Sequence, residues 1–168
     1  MKLQKLCLFK LGKPISLLLG LAAIFPMYAT GSELPAELIA ELKPRCDKMM
    51  QDIRDNKMDD MIKEFHPMLQ TWNEGKLAKK MAMLSINGYK NEMFGQIPLD
   101  KIVFSEQESS FRDPSKDNIG QYPDMTNMAD LHYNFYFVRP DGRKQKGSVN
   151  CVLFEAAGKW YFEDNLPF

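Results

Sequence analysis

Chemistry-bearing motifs are scarce in this chain of 168 residues, and their absence does the first sorting. Histidine occurs twice, at His66 and His132, and no metal-ligand spacing joins the two. There is no Gly-rich phosphate loop, no Gly-x-Ser-x-Gly turn and no Cys-x-x-Cys pair, which removes the usual signatures of nucleotide binding, serine hydrolysis and disulfide exchange. Basic and acidic residues are equal at 22 each and form no basic stripe, so nucleic acid is not an expected partner. Internal repeats and low-complexity tracts are also missing. Beyond residue 31, no segment is long and apolar enough to cross a bilayer.

The front of the chain is different in kind. Lys2, Lys5, Lys10 and Lys13 precede an apolar run over residues 15–25, and the small residues Ala29, Thr30 and Gly31 follow. A cationic front, a short apolar stretch and a small-residue exit predict an export signal over residues 1–31. Gly31 has Ala29 three positions before it, a better processing site than Ala29, which has Met27. The run falls short of the about 20 apolar residues that a membrane anchor needs. Cys7 lies before the run, so it is not a lipid-attachment cysteine. The expected localisation is periplasmic or secreted. Residues 32–168 form one domain of about 137 residues with 18 basic and 22 acidic side chains, a net charge near −4.

Only Cys46 and Cys151 remain after processing. In an oxidising compartment one early and one late cysteine predict a disulfide enclosing most of the domain. The alternative is two buried thiols. Two cysteines with no nearby histidine fall short of a four-ligand metal site, so no metal and no cofactor are expected.

Helical spacing dominates the first half. Leu38, Ile39, Leu42, Cys46, Met49, Met50 and Ile53 share one face, which directs Cys46 at the core, and Pro44 is expected to kink or break this helix. A second helix is expected from residues 58–60, with Met61, Ile62 and Phe65 as its apolar face and His66-Pro67 as its end. A connection over residues 72–75 leads to a third helix, capped by Asn73 and facing inward through Leu77, Met81 and Leu84, with two alternatives for its end, a stop at Asn87-Gly88 or continuation through residues 89–94. The second half changes period. A strand is expected over residues 101–105, extending towards Phe111, and a polar loop over 112–128. Leu131, Tyr133, Phe135 and Phe137 then alternate with His132, Asn134 and Tyr136. Pro140-Asp141-Gly142 turns the chain into a strand over residues 144–154, and Gly158 turns it into the last strand at Trp160. Helices first and an antiparallel meander last make an α+β domain: N-terminal helices packed on a curved antiparallel sheet that ends in a three-stranded meander.

The amphipathic opening helix, the Phe65-His66-Pro67 break, the hairpin across Pro140-Asp141-Gly142 and the ending Gly158-Lys159-Trp160-Tyr161-Phe162 together resemble the nuclear-transport-factor-2-like superfamily, the cystatin-like cone. The resemblance spans nearly all of residues 32–168 and rests on shape rather than on a chemical motif. The sequence departs from the pattern where a small hairpin between the second and third helices is short or missing. The superfamily contains isomerases, dehydratases, cyclases and non-catalytic binding domains, so the resemblance implies a fold and leaves the activity open.

His132, Asn134 and Tyr136 share one face of a strand, and Asn150 on its neighbour is placed to join them. Lining a cone pocket, this row would offer His132 as a general base and Tyr136 as a donor, the equipment of a small isomerase or dehydratase. On the outer side of the sheet it would be a solvated or binding face. His66 is read as a surface or capping residue. Methionine is abundant, and exported methionines can bind Cu(I), although on helical faces they more commonly fill a core. The leading expectation is an exported, non-catalytic domain that binds a protein or a small apolar ligand. A periplasmic immunity or inhibitor protein is one specific form of it. The isomerase and the Cu(I)-binding protein are the alternatives.

Overall fold

The computed structural model describes residues 31–91, 97–112, 122 and 124–163. The opening periodicity produces helix α1, Ala36–Arg54, which buries Leu42, Cys46, Met49, Met50 and Ile53. Pro44 does not break it. Proline removes one backbone donor, but Pro44 is exposed while Leu42 and Cys46 on either side of it are buried. Helical continuity here comes from packing of the inner face.

Helix α2, Met58–Lys63, is short and buries Met61. The His66-Pro67 break ends this segment and also starts another, helix α3, Pro67–Thr71, ahead of the expected connection over residues 72–75. Proline suits a first helical position because its missing N–H has no partner there. His66 is the N-cap, its Nδ1 accepting the Met68 N–H at 3.2 Å. Asn73, Glu74 and Gly75 then form a left-handed turn with φ of 50°, 58° and 77°. Helix α4, Lys76–Asn91, follows and runs straight through Asn87-Gly88. Its inner face is rotated from the expected one. Ala78, Ala82, Ser85 and Ile86 are buried, Leu77 and Met81 are half-buried, and Leu84 is exposed. Small side chains let α4 approach its neighbours closely, and the leucine is displaced to the rim. No helix among the described residues is long and apolar enough to cross a membrane.

A 3₁₀ turn, Leu99–Lys101, leads into four strands: β1 Val103–Arg112, β2 Met125–Val138, β3 Lys144–Ala156 and β4 Lys159–Phe162. They form one antiparallel meander in the order β1-β2-β3-β4. The α+β class is therefore as expected, with β1 added to the terminal three-stranded meander. Alternation separates the two faces. Ala129, Leu131, Tyr133, Val149, Cys151, Leu153, Trp160 and Phe162 join the helices in the main core. On the opposite face, Met128, Val152, Phe154 and Ala156 pack with Tyr122 in a smaller cluster.

Cys46 and Cys151 are disulfide-bonded, with Cα atoms 6.0 Å apart across 105 residues of sequence. The bond fastens the middle of α1 to the middle of β3. Next to it, Arg45 donates to Glu64 at 2.7 Å and to the Trp160 carbonyl at 3.0 Å. Its guanidinium also lies 5.6 Å from the centre of the Phe162 ring. Both outer edges of the sheet are partly covered, as unpaired strand edges need to be. Glu33 bridges Ser110 of β1, and Phe65 bridges Phe162 of β4.

Candidate binding face on the outer sheet

The row His132, Asn134, Tyr136 and Asn150 lies on the sheet face turned away from the helices, since Leu131, Tyr133, Val149 and Cys151 occupy the helix side. The register puts His132 directly opposite Asn150. Asn134 is opposite Ser148, and Tyr136 is opposite Lys146. His132, Asn134 and Asn150 therefore adjoin, and Tyr136 lies one step further out.

The strongest addition to this face comes from an irregularity in β1. Ser105 pairs with His132 and Ser110 with Asp130, so residues 106–109 stand opposite Leu131 alone. Such a bulge interrupts the ladder and re-aims side chains. Buried Ser109 repairs the interruption: its hydroxyl accepts the His132 N–H at 2.9 Å and donates to the Ser105 carbonyl at 2.7 Å. The bulge delivers Glu108 to the row. Asn134 Nδ2 donates to Glu108 Oε2, and Lys146 Nζ donates to Oε1 at 3.1 Å. His132 Nε2 lies 3.6 Å from Glu108 Oε2. Hydrogen bonds from Asn134, Ser105 and Lys146 hold the Glu108 carboxyl well below its ordinary range, at about 2. Glu108 is consequently a fixed carboxylate and not a proton donor at neutral pH. Alongside, Asn150 Nδ2 donates to Asp130 Oδ2 at 3.1 Å, and Arg112 lies 3.8 Å from the same oxygen.

Sequence reasoning missed Glu108, Asp130, Lys146 and Ser109. Asp130 was within reach, since it is in phase with His132 on the same strand. Lys146 follows only from the hairpin register, and Glu108 is concealed by the extra residues of the bulge.

The helix side of the sheet is closely packed. Beside the disulfide, the void between α1 and the sheet measures about 10 Å³, the scale of a single water. Tyr133 spans this layer and donates to Asp47 Oδ1 at 3.0 Å. Burial, and then the Asp47 charge, push its phenol far above the ordinary value, which makes it a structural donor. A larger open depression of about 510 Å³ lies against Leu34, Phe104, Ser105 and the bulge residues Glu106 and Gln107, and no member of the row lines it.

His66 is a cap, as read, but not a surface residue. Its side chain is 14% exposed. The ring packs against Tyr122, Phe154 and Tyr161 with centroids 5.0, 5.8 and 4.9 Å away. Most of the described methionines take packing positions, whereas Met83 on α4 is exposed. Met49, Met50 and Met61 lie in the main core, and Met128 lies in the smaller cluster with Met68 and Met125 against it. Met93 and the predicted signal up to residue 30 lie outside the described residues.

No protein family, curated protein or solved structure matches the chain.

Proposed function

We infer that this protein is an exported, non-catalytic binding domain of cone-like α+β shape, working through the outer face of its sheet and stapled for an oxidising compartment by Cys46–Cys151. One observation carries the reading. The polar row faces away from the helices, and the carboxylates beside it, Glu108 and Asp130, are engaged by Asn134, Lys146, Asn150 and Arg112 rather than gathered around a cavity. A general base needs a free, oriented acceptor beside a site where substrate can be held. A binding face needs fixed polar groups presented outward.

The nuclear-transport-factor-2-like assignment is retained as part of this proposal. It is supported by the order of the elements, helices first and an antiparallel sheet last. The disulfide supports the periplasmic or secreted localisation. In its most specific form, the partner is a toxin or enzyme inhibited by occlusion.

The test is affinity capture of the oxidised mature protein from its own periplasmic extract, read by intact mass. A stoichiometric protein partner supports the proposal. A bound small molecule, or none at all, overturns it.

A further inference from the structure

The β2–β3 hairpin outreaches its neighbours. β1 pairs with β2 no further than Asn134, and β4 pairs with β3 only from Leu153. Residues 135–147 therefore form a two-stranded arm whose ladder partners are each other. Directly opposed residues share a face, so Tyr136 with Lys146 and Val138 with Lys144 make up its outer side. This side continues the row of His132 and Asn134. Tyr136 and Val138 are 62% and 65% exposed, among the most exposed large apolar side chains of the described residues. The opposite side is anchored: Phe135 is buried over Gly147, where an added Cβ would collide with the ring.

The charge on the arm contrasts with the body. Residues 135–147 hold Arg139, Arg143, Lys144 and Lys146 against Asp141 alone, whereas the rest of residues 32–168 holds 14 basic and 21 acidic side chains. Arg143 is paired to Asp141 at 2.8 Å and Lys146 to Glu108 at 3.1 Å. Arg139 and Lys144 have no carboxylate partner among the described residues. Arg139 donates to Gln145, and Lys144 Nζ lies 5.8 Å over the Tyr136 ring. Aromatic and arginine side chains at the centre of a rigid patch, with charges at its rim, are what protein interfaces use for affinity and steering.

Resting on the binding-domain reading above, we propose that this arm docks onto an acidic patch of a protein partner, with Tyr136 and Val138 as apolar anchors and Arg139 and Lys144 as the complementary charges. A nucleic acid fits less well. Extended polyanions gain affinity from many phosphate contacts, and here two unpaired cations stand on an acidic body. An anionic bilayer fits less well for the same reason. One tyrosine and one valine also offer little area to insert.

The test is photo-crosslinking of the full chain in its native host, with benzoylphenylalanine placed at Val138 and, as control, at exposed Lys79 on α4. A discrete protein adduct from position 138 and none from position 79 is expected, with the crosslinked peptide of the partner rich in Asp and Glu. The double charge reversal R139E/K144E should lower adduct yield by about tenfold and make what remains insensitive to salt. Its circular dichroism and melting should match the parent, because both side chains are exposed. The proposal is overturned by equal adducts from both positions, by an adduct with lipid or nucleic acid, by a yield indifferent to charge reversal, or by no adduct. If position 138 gives none while the unmodified protein still co-purifies with a stoichiometric partner, the arm is wrong and the binding-domain reading stands. If neither captures anything, both fail.

Discussion

Reduction of Cys46–Cys151 is the perturbation with the largest calculable effect. The bond closes a loop of 105 residues that contains α2, α3, α4, β1 and β2. On the loop-entropy relation, closure of this length stabilises by about 4–5 kcal/mol at 25 °C. Residual structure in the reduced unfolded chain takes back part of that, which leaves about 4 kcal/mol. Domains have about 5–15 kcal/mol in total, so the staple supplies a quarter or more of the stability. At about 3–5 °C per kcal/mol for a domain of this size, the melting temperature should fall by roughly 12–20 °C. Urea unfolding of oxidised and fully reduced protein, followed by the fluorescence of buried Trp160, measures the difference directly. The reduced form should also unfold with a larger denaturant dependence, because its unfolded chain is less confined. Both cysteines are buried, so reduction tests the cross-link without the cavity that a Cys46→Ala variant would add. A loss under about 1 kcal/mol, with both thiols titrating, would refute the loop-entropy account and leave the bond as a marker of compartment only.

Three smaller predictions follow from the sheet and the corner. Ser109→Ala strips the bulge of both hydrogen bonds, to the half-buried His132 N–H and Ser105 carbonyl, costing about 1–2 kcal/mol in chemical denaturation. Glu108 has a lower pKa in the folded protein, about 2, than its ordinary 4.5, so between those values the unfolded chain binds more protons. Its contribution is complete above about pH 4.5 and is lost as pH falls towards about 2. Glu108→Gln should therefore melt with a shallower pH dependence than wild type across that acid window, and parallel curves would sink the argument. At the α2–α3 corner, His66→Ala loses both the cap and the aromatic packing, whereas His66→Asn keeps an acceptor for Met68. The asparagine variant should recover about 1 kcal/mol of the loss in thermal unfolding.

How much was legible in the sequence depended on whether one period governed a stretch. The alternation of Leu131, Tyr133 and Phe135 survives as a buried face, and Cys46 on the apolar face of α1 does meet Cys151. Departures came where a local rule was outweighed. Of the kink or break expected at Pro44, the break does not occur, because Pro44 sits on the solvent side of a helix held by Leu42 and Cys46. In α4 the reading followed the large residues Leu77, Met81 and Leu84, whereas close packing selected Ala78 and Ala82. The stop expected at His66-Pro67 does close the α2 segment. The same two residues are a cap and a first helical position, and a five-residue helix carries too little periodicity to announce itself. In the candidate site, His132, Asn134 and Asn150 followed from alternation and pairing. Glu108 did not, because four residues opposite one destroy the period-two phase on which such a reading depends.

Glu108 also decides what the arm uses to bind. It sits at the root of the hairpin and holds Lys146, while Lys144 lies over Tyr136 nearer the tip. Two contributions to affinity then point in opposite directions in Glu108→Gln. Removing the carboxylate makes the arm more cationic, which favours an acidic partner through long-range attraction. The same change releases Lys146 and loosens the face that presents Tyr136, which adds ordering cost on binding. Long-range attraction is screened within about 10 Å at 0.1 M salt, so the two separate with ionic strength. At low salt Glu108→Gln should crosslink through position 138 at least as well as wild type, and at physiological salt less well. A variant that gained at every salt concentration would show that charge alone drives docking and that the bulge does not preorganise the arm.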